Sequence, residues 1–155
     1  MENSYLDILN KRKQIEITNI KKCNEYTSKY GLSLSENQIN NIIERRIESL
    51  KANGRIEFRG GIVDKIIKEF CDSPYINQEN YAQTIYELID IFYEYKNDTM
   101  DLITDDELIT FMKKSFDGIC QGDIEYLEGT VMYKMRENLL NRKPIEYLEE
   151  SEEDE

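Results

Sequence analysis

Along most of the chain apolar residues recur at intervals of three and four, the spacing that gathers them on one face of an α-helix. Ile39, Ile42, Ile43, Ile47 and Leu50 form one such stripe. Ser35 precedes it with Gln38 three residues on, a capping-box arrangement, and Gly54 offers a left-handed cap at the far end. Ile62, Val63, Ile66, Ile67 and Phe70 make a second stripe. It stops at Asp72-Ser73-Pro74, because the residue before a proline avoids the α region. Asn77 is placed to cap a third helix carrying Tyr81, Ile85, Leu88, Phe92 and Tyr95 on one face. Thr104 with Glu107 opens a fourth, through Leu108, Phe111, Met112 and Phe116. After a break at Gln121-Gly122, the run Ile124, Leu127, Val131, Met135 and Leu139 predicts a last long helix ended by Pro144.

The first thirty residues are less regular. Ile20, Cys23, Thr27 and Tyr30 predict a helix ending at Gly31, and Tyr5, Ile8, Leu9 and Ile15 a weaker stripe before it. Ile15-Glu16-Ile17-Thr18 also reads as strand, but it is too short and isolated to pair. The expectation is a single all-α domain of about six helices over residues 1–144, with at most a short extended piece at Ile56 to Phe58. Residues 145–155 lack apolar periodicity and read as a mobile acidic tail.

Charge sharpens this picture. The chain of 155 residues carries a net charge of −12, but seven of its acids crowd into that tail and the body is only mildly acidic. Sequence-independent nucleic-acid binding needs a net basic surface, so nucleic acid is not an expected partner. Between Glu44 and Lys68 seven bases face four acids, whereas between Glu69 and Thr110 eleven acids face Lys96 alone. Either the two segments neutralise each other inside the fold, or each seeks a partner of opposite sign.

Candidate chemistry is sparse. With no histidine, His-dependent triads and His-bearing zinc sites are excluded, and Cys23, Cys71 and Cys120 are too few for a four-cysteine zinc site. Cys71 sits at a helix C-terminus beside Asp72, where a thiolate is disfavoured. Asp117, Gly122 and Glu128 match three positions of an EF-hand loop, but Ile119 stands where an oxygen ligand is required. No metal, cofactor or catalytic residue is predicted, and the reading favours a protein that is not an enzyme. The N-terminus lacks the basic and apolar regions of a signal peptide, and no apolar run reaches membrane-span length. No membrane partner and a cytoplasmic location are therefore expected.

GRIEFRGG, residues 54–61, is the segment that invites a functional reading. A helix start preceded by Gly60-Gly61 exposes N–H groups to an anion, and Arg55 and Arg59 can fork onto one. It matches no known phosphate-loop pattern, and Glu57 between the arginines can neutralise either. GRIEF, EFCDSPYINQENY, DDELITFMKK and FDGICQGDIEYLEGT together, over residues 30–132, resemble an uncharacterised family of small acidic helical proteins from Firmicutes. That resemblance implies a bacterial, all-helical cytoplasmic protein and supplies no catalytic residue.

Two functional expectations follow. The first is a helical protein-interaction module, a scaffold or adaptor, with Arg45 and Arg46 in the basic segment and Tyr86 and Tyr93 on a second face of the third helix as contact residues. The alternative is an anion- or small-molecule-binding protein, an enzyme included, built on Arg55, Arg59, Gly60 and Gly61.

Overall fold

The computed structural model describes residues 2–57 and 62–145, and its described residues form helices without a strand. The helices are α1 (Glu2–Thr27), α2 (Glu36–Ala52), α3 (Ile62–Phe70), α4 (Tyr81–Asp98), α5 (Asp105–Asp117) and a composite last helix. That last helix starts as α6 (Ile124–Tyr126), widens to a π-helix over Leu127–Met132 and continues as α7 (Tyr133–Leu140). The all-α expectation holds. The proposed tail from Glu146 onward, and Phe58 of the expected extended piece, lie outside the described residues.

Local chemistry sets most boundaries. The Ser35 hydroxyl accepts from the Gln38 N–H at 3.2 Å while the Gln38 side chain accepts from the Ser35 N–H at 2.9 Å. Thr104 and Glu107 repeat the arrangement at the start of α5. Such reciprocal caps satisfy two orphan donors at once. Asn77 does cap, but one turn early: Asn77 and Asn80 exchange side-chain to backbone bonds of 2.9 and 3.0 Å, and regular helix begins only at Tyr81.

The N-terminal stripe and the helix after it prove to be one element. α1 runs unbroken through Ile15–Thr18, so the strand reading fails there, and it ends in a 3₁₀ turn closed by Gly31 at φ 76°. α1 and α2 form an antiparallel hairpin, marked by Lys13–Glu44 at 3.0 Å and Lys21–Glu36 at 2.7 Å.

α4 is the central helix. It buries Tyr81, Ile85, Leu88, Ile89, Ile91, Phe92, Tyr93 and Tyr95 around most of its circumference. Each such side chain contributes roughly 1.5–3 kcal/mol by leaving water. α2 packs along one flank of α4 and runs in the same direction, as the succession Ser33–Gln78, Arg45–Asp90 and Arg55–Asp101 shows. α3 returns between α1, α4 and α5, and the π-helix packs on α5. Phe70 and Phe116 meet edge to face, with centroids 5.6 Å apart, where α3 and α5 close the core.

The parallel pairing of α2 and α4 places the basic segment beside the acidic one. Arg45–Asp90, Arg55–Asp101 and Lys65–Asp106 link the two. Charge segregation along the sequence is thus partly resolved as neutralisation inside the fold.

Candidate interaction groove

An open groove runs along the outer side of the α2–α4 pair. It is formed by two adjoining cavities of about 360 and 350 Å³ that share Arg45 and Glu48. Ser49, Asp90 and Glu94 line the first, and Glu44, Gln83 and Tyr86 line the second. The helical period explains the lining: Glu44 and Glu48, like Asp90 and Glu94, lie four residues apart and stack on one face.

Asp90 is fully engaged. Two guanidinium nitrogens of Arg45 converge on one of its oxygens, at 2.8 and 2.7 Å, and the Ser49 hydroxyl donates to the other. Glu48 has no ion-pair partner among the described residues. Glu94 is crowded by like charge. Burial pushes its carboxyl up to about 7, reinforced by Glu128, whose carboxyl shares a hydrogen bond with it, and then by Asp98 and Asp90. Glu128 reaches α4 because it lies on the π-helix, where the Tyr95 hydroxyl donates to its carbonyl at 2.6 Å. Burial pushes the Tyr95 phenol up to about 12, so it is a neutral donor. The groove is therefore rich in carboxylates and short of cations.

The four proposed contact residues divide between this groove and the interior. Arg45, from α2, and Tyr86, from α4, both line its second cavity. Arg46 and Tyr93 are buried, so neither offers a surface to a partner, and the expectation is corrected for both. Arg46, 6% exposed, bonds Glu57 at 2.8 Å and Glu16 at 3.3 Å, while the Tyr93 hydroxyl donates to the same Glu57 oxygen at 2.6 Å. Burial raises Glu16, with Arg46 opposing, and raises Tyr93, whose hydrogen bond to Glu57 adds to the shift. This cluster ties the residue-57 end of the α2–α3 connection to α1, α2 and α4.

Of the anion candidates, Arg55 is described and Arg59, Gly60 and Gly61 lie outside the described residues. Arg55 forks onto both oxygens of Asp101, at 2.8 and 3.2 Å, on the turn between α4 and α5. Glu57, the nearer acid, goes to Arg46 instead.

The remaining chemical candidates have structural tasks. Asp117 accepts from the Ser73 hydroxyl at 2.6 Å and pairs with Lys113 at 2.8 Å, and Asp123 caps α6. The three thiols are free and buried; burial raises Cys23 and Cys71, Asp72 adding to Cys71, and pushes Cys120 up to about 12. Among the described residues no helix is long and apolar enough to cross a membrane.

A family model described as a family of unknown function (DUF6323) matches residues 19–144. The chain belongs to this family. The match takes in the last part of α1 and continues past α7, a wider span than the 30–132 of the motif resemblance, and it contains every residue of the groove. No curated protein and no solved structure matches the chain.

Proposed function

We propose that this protein is a helical interaction module whose α2–α4 groove receives a lysine- or arginine-bearing segment of a partner protein. The observation that carries the reading is the charge state of the groove. Glu48 has no ion-pair partner among the described residues, and burial together with the neighbouring Glu128 carboxylate raises the Glu94 carboxyl to about 7, so it keeps part of its proton near neutrality. A basic side chain entering there supplies what the fold leaves out, and Tyr86 offers an aromatic wall for its aliphatic stem. Arg45, held on Asp90, leaves the acids beyond it open.

The anion reading has less support. An anion at Arg55 has to displace Asp101 from a two-point ion pair.

The test is fluorescence anisotropy of the full chain with a labelled lysine-rich peptide and a glutamate-rich peptide of equal length. The basic peptide is expected to bind, to weaken with added salt and to lose affinity several-fold in Glu48→Gln and Glu94→Gln. Binding that both variants leave unchanged assigns the affinity to other acids, such as the tail, and rejects the groove. Equal binding of the acidic peptide rejects it as well.

A further inference from the structure

The parallel run of α2 and α4 brings their C-terminal ends to one pole of the molecule. Three large apolar side chains emerge there into solvent: Ile56, 80% exposed, from the α2–α3 connection, and Met100 and Leu102, 69% and 57% exposed, from the α4–α5 turn. They flank the two ends of the Arg55–Asp101 ion pair, which clasps the two connections together. Each neighbour points inward. Glu57 joins the buried Arg46 cluster, Ile103 is buried in the core, and Thr99 is buried and donates to the Tyr95 carbonyl at 2.7 Å.

The turn is fixed in an unfavourable backbone shape. Met100 and Asp101 are consecutive non-glycine residues with φ of 55° and 59°. That left-handed region is disfavoured for both residue types, most of all for methionine. The shape is held by backbone bonds from Met100 to Asn97, Asp101 to Lys96 and Leu102 to Thr99, at 3.0 to 3.1 Å. The buried Lys96 ammonium reinforces it, donating to the Ile103 carbonyl and pairing with Asp105 at 2.9 Å. A rigid turn that displays apolar side chains is pre-organised for contact, since little freedom is left to lose on docking.

The charges around the patch are self-complementary. The α2 side carries the exposed Lys51 and the α4 side the exposed Asp98, on helix ends that lie next to each other. A two-fold axis between those ends sets Lys51 of one copy against Asp98 of the other, and does so twice, while the apolar trios meet at the centre. We propose that this pole is a homodimer interface, occupied by a second copy of the chain. The area is small for a permanent dimer, so association is weak and concentration-dependent. The proposal is independent of the groove reading, since the two surfaces share no residue.

Sedimentation equilibrium of the full chain provides the test. The mass is expected to rise from the monomer value of 18.4 kDa toward a dimer as protein is concentrated. Leu102→Lys and Ile56→Lys are expected to weaken the dimer at least tenfold, and Ile15→Lys, an equally exposed change on α1, to leave it intact. All three positions are solvent-facing, and circular dichroism verifies that each variant is folded. Lys51→Glu and Asp98→Lys are each expected to be monomeric alone and to form a heterodimer when mixed, because mixing restores both cross-pairs. A chain that stays monomeric at every concentration overturns the proposal. So does a dimer that both apolar variants retain, or a mixture of folded charge variants that does not associate.

Discussion

Arg45 and Arg46 are neighbours in sequence, and they show how one helical step separates surface chemistry from core chemistry. Arg45 faces the groove with its side chain 43% exposed, whereas Arg46 turns inward to hold Glu16 and Glu57 with its side chain 8% exposed. Exposed ion pairs contribute little, but removing one partner of a buried cluster leaves uncompensated charge behind. Chemical denaturation should therefore show Arg45→Ala costing about 1 kcal/mol or less and Arg46→Ala about 3–5 kcal/mol. Similar losses for the two variants would contradict the burial argument. The glycines offer a second contrast. Gly122 has φ 81°, and a Cβ added there would stand 2.6 Å from the Tyr75 Cβ, whereas a Cβ at Gly129 meets nothing within 4 Å. Gly122→Ala should cost about 1–3 kcal/mol through strain and overpacking. Gly129→Ala, inside a helix, should be neutral or stabilising by up to about 1 kcal/mol.

Among the elements, the π-helix over Leu127–Met132 matters most to the groove. It positions Glu128 against Glu94 and offers the Glu128 carbonyl to the Tyr95 hydroxyl. This feature was not legible in the sequence. Leu127, Val131 and Met135 recur every four residues, a spacing that reads as ordinary α-helix, so the wider turn leaves no periodic signature. The capped starts of α2 and α5 were legible, because a cap is written in two side chains three residues apart. The continuity of α1 was not. Its exposed Ile8 and Ile15 break the apolar face, and the helix is one piece because it packs on α2 and α3. The pairing of Glu94 with Glu128 gives a stability prediction. Folding holds the Glu94 carboxyl at about 7, above its ordinary 4.5, so the native state keeps a proton that the unfolded chain releases. That contribution is complete below about 4.5 and is lost as pH rises through about 7. The melting temperature should fall between pH 5.5 and pH 8, and Glu94→Gln should reduce that fall. An unchanged pH slope in Glu94→Gln would remove Glu94 from the account.

At the scale of the whole molecule, charge segregation along the chain becomes a division of labour. Among the described residues, bases of the α2–α3 region neutralise acids of the α4–α5 region at three cross-links, while Glu48 and Glu94 line one groove outside those cross-links. Sequence reading offers Arg45 and Tyr86 as contact residues, and the fold brings both to the lining of one cavity. It did not anticipate Glu48 and Glu94, because their shortage of cations exists only once α2, α4 and the π-helix are assembled. It offers Arg46 and Tyr93 as contact residues, and for Tyr93 the ambiguity is physical: a helix apolar on two faces reads the same whether it is central in a bundle or covered by a partner. The central claim is that the groove lacks positive charge and that a basic segment supplies it. Titration calorimetry of the full chain with a lysine-rich peptide at pH 7, in two buffers of different ionisation enthalpy, tests it most directly. Binding should release up to about half a proton from Glu94, seen as a buffer-dependent heat, and Glu94→Gln should abolish that dependence. No binding, or wild-type binding with the same heat in both buffers, would contradict the claim.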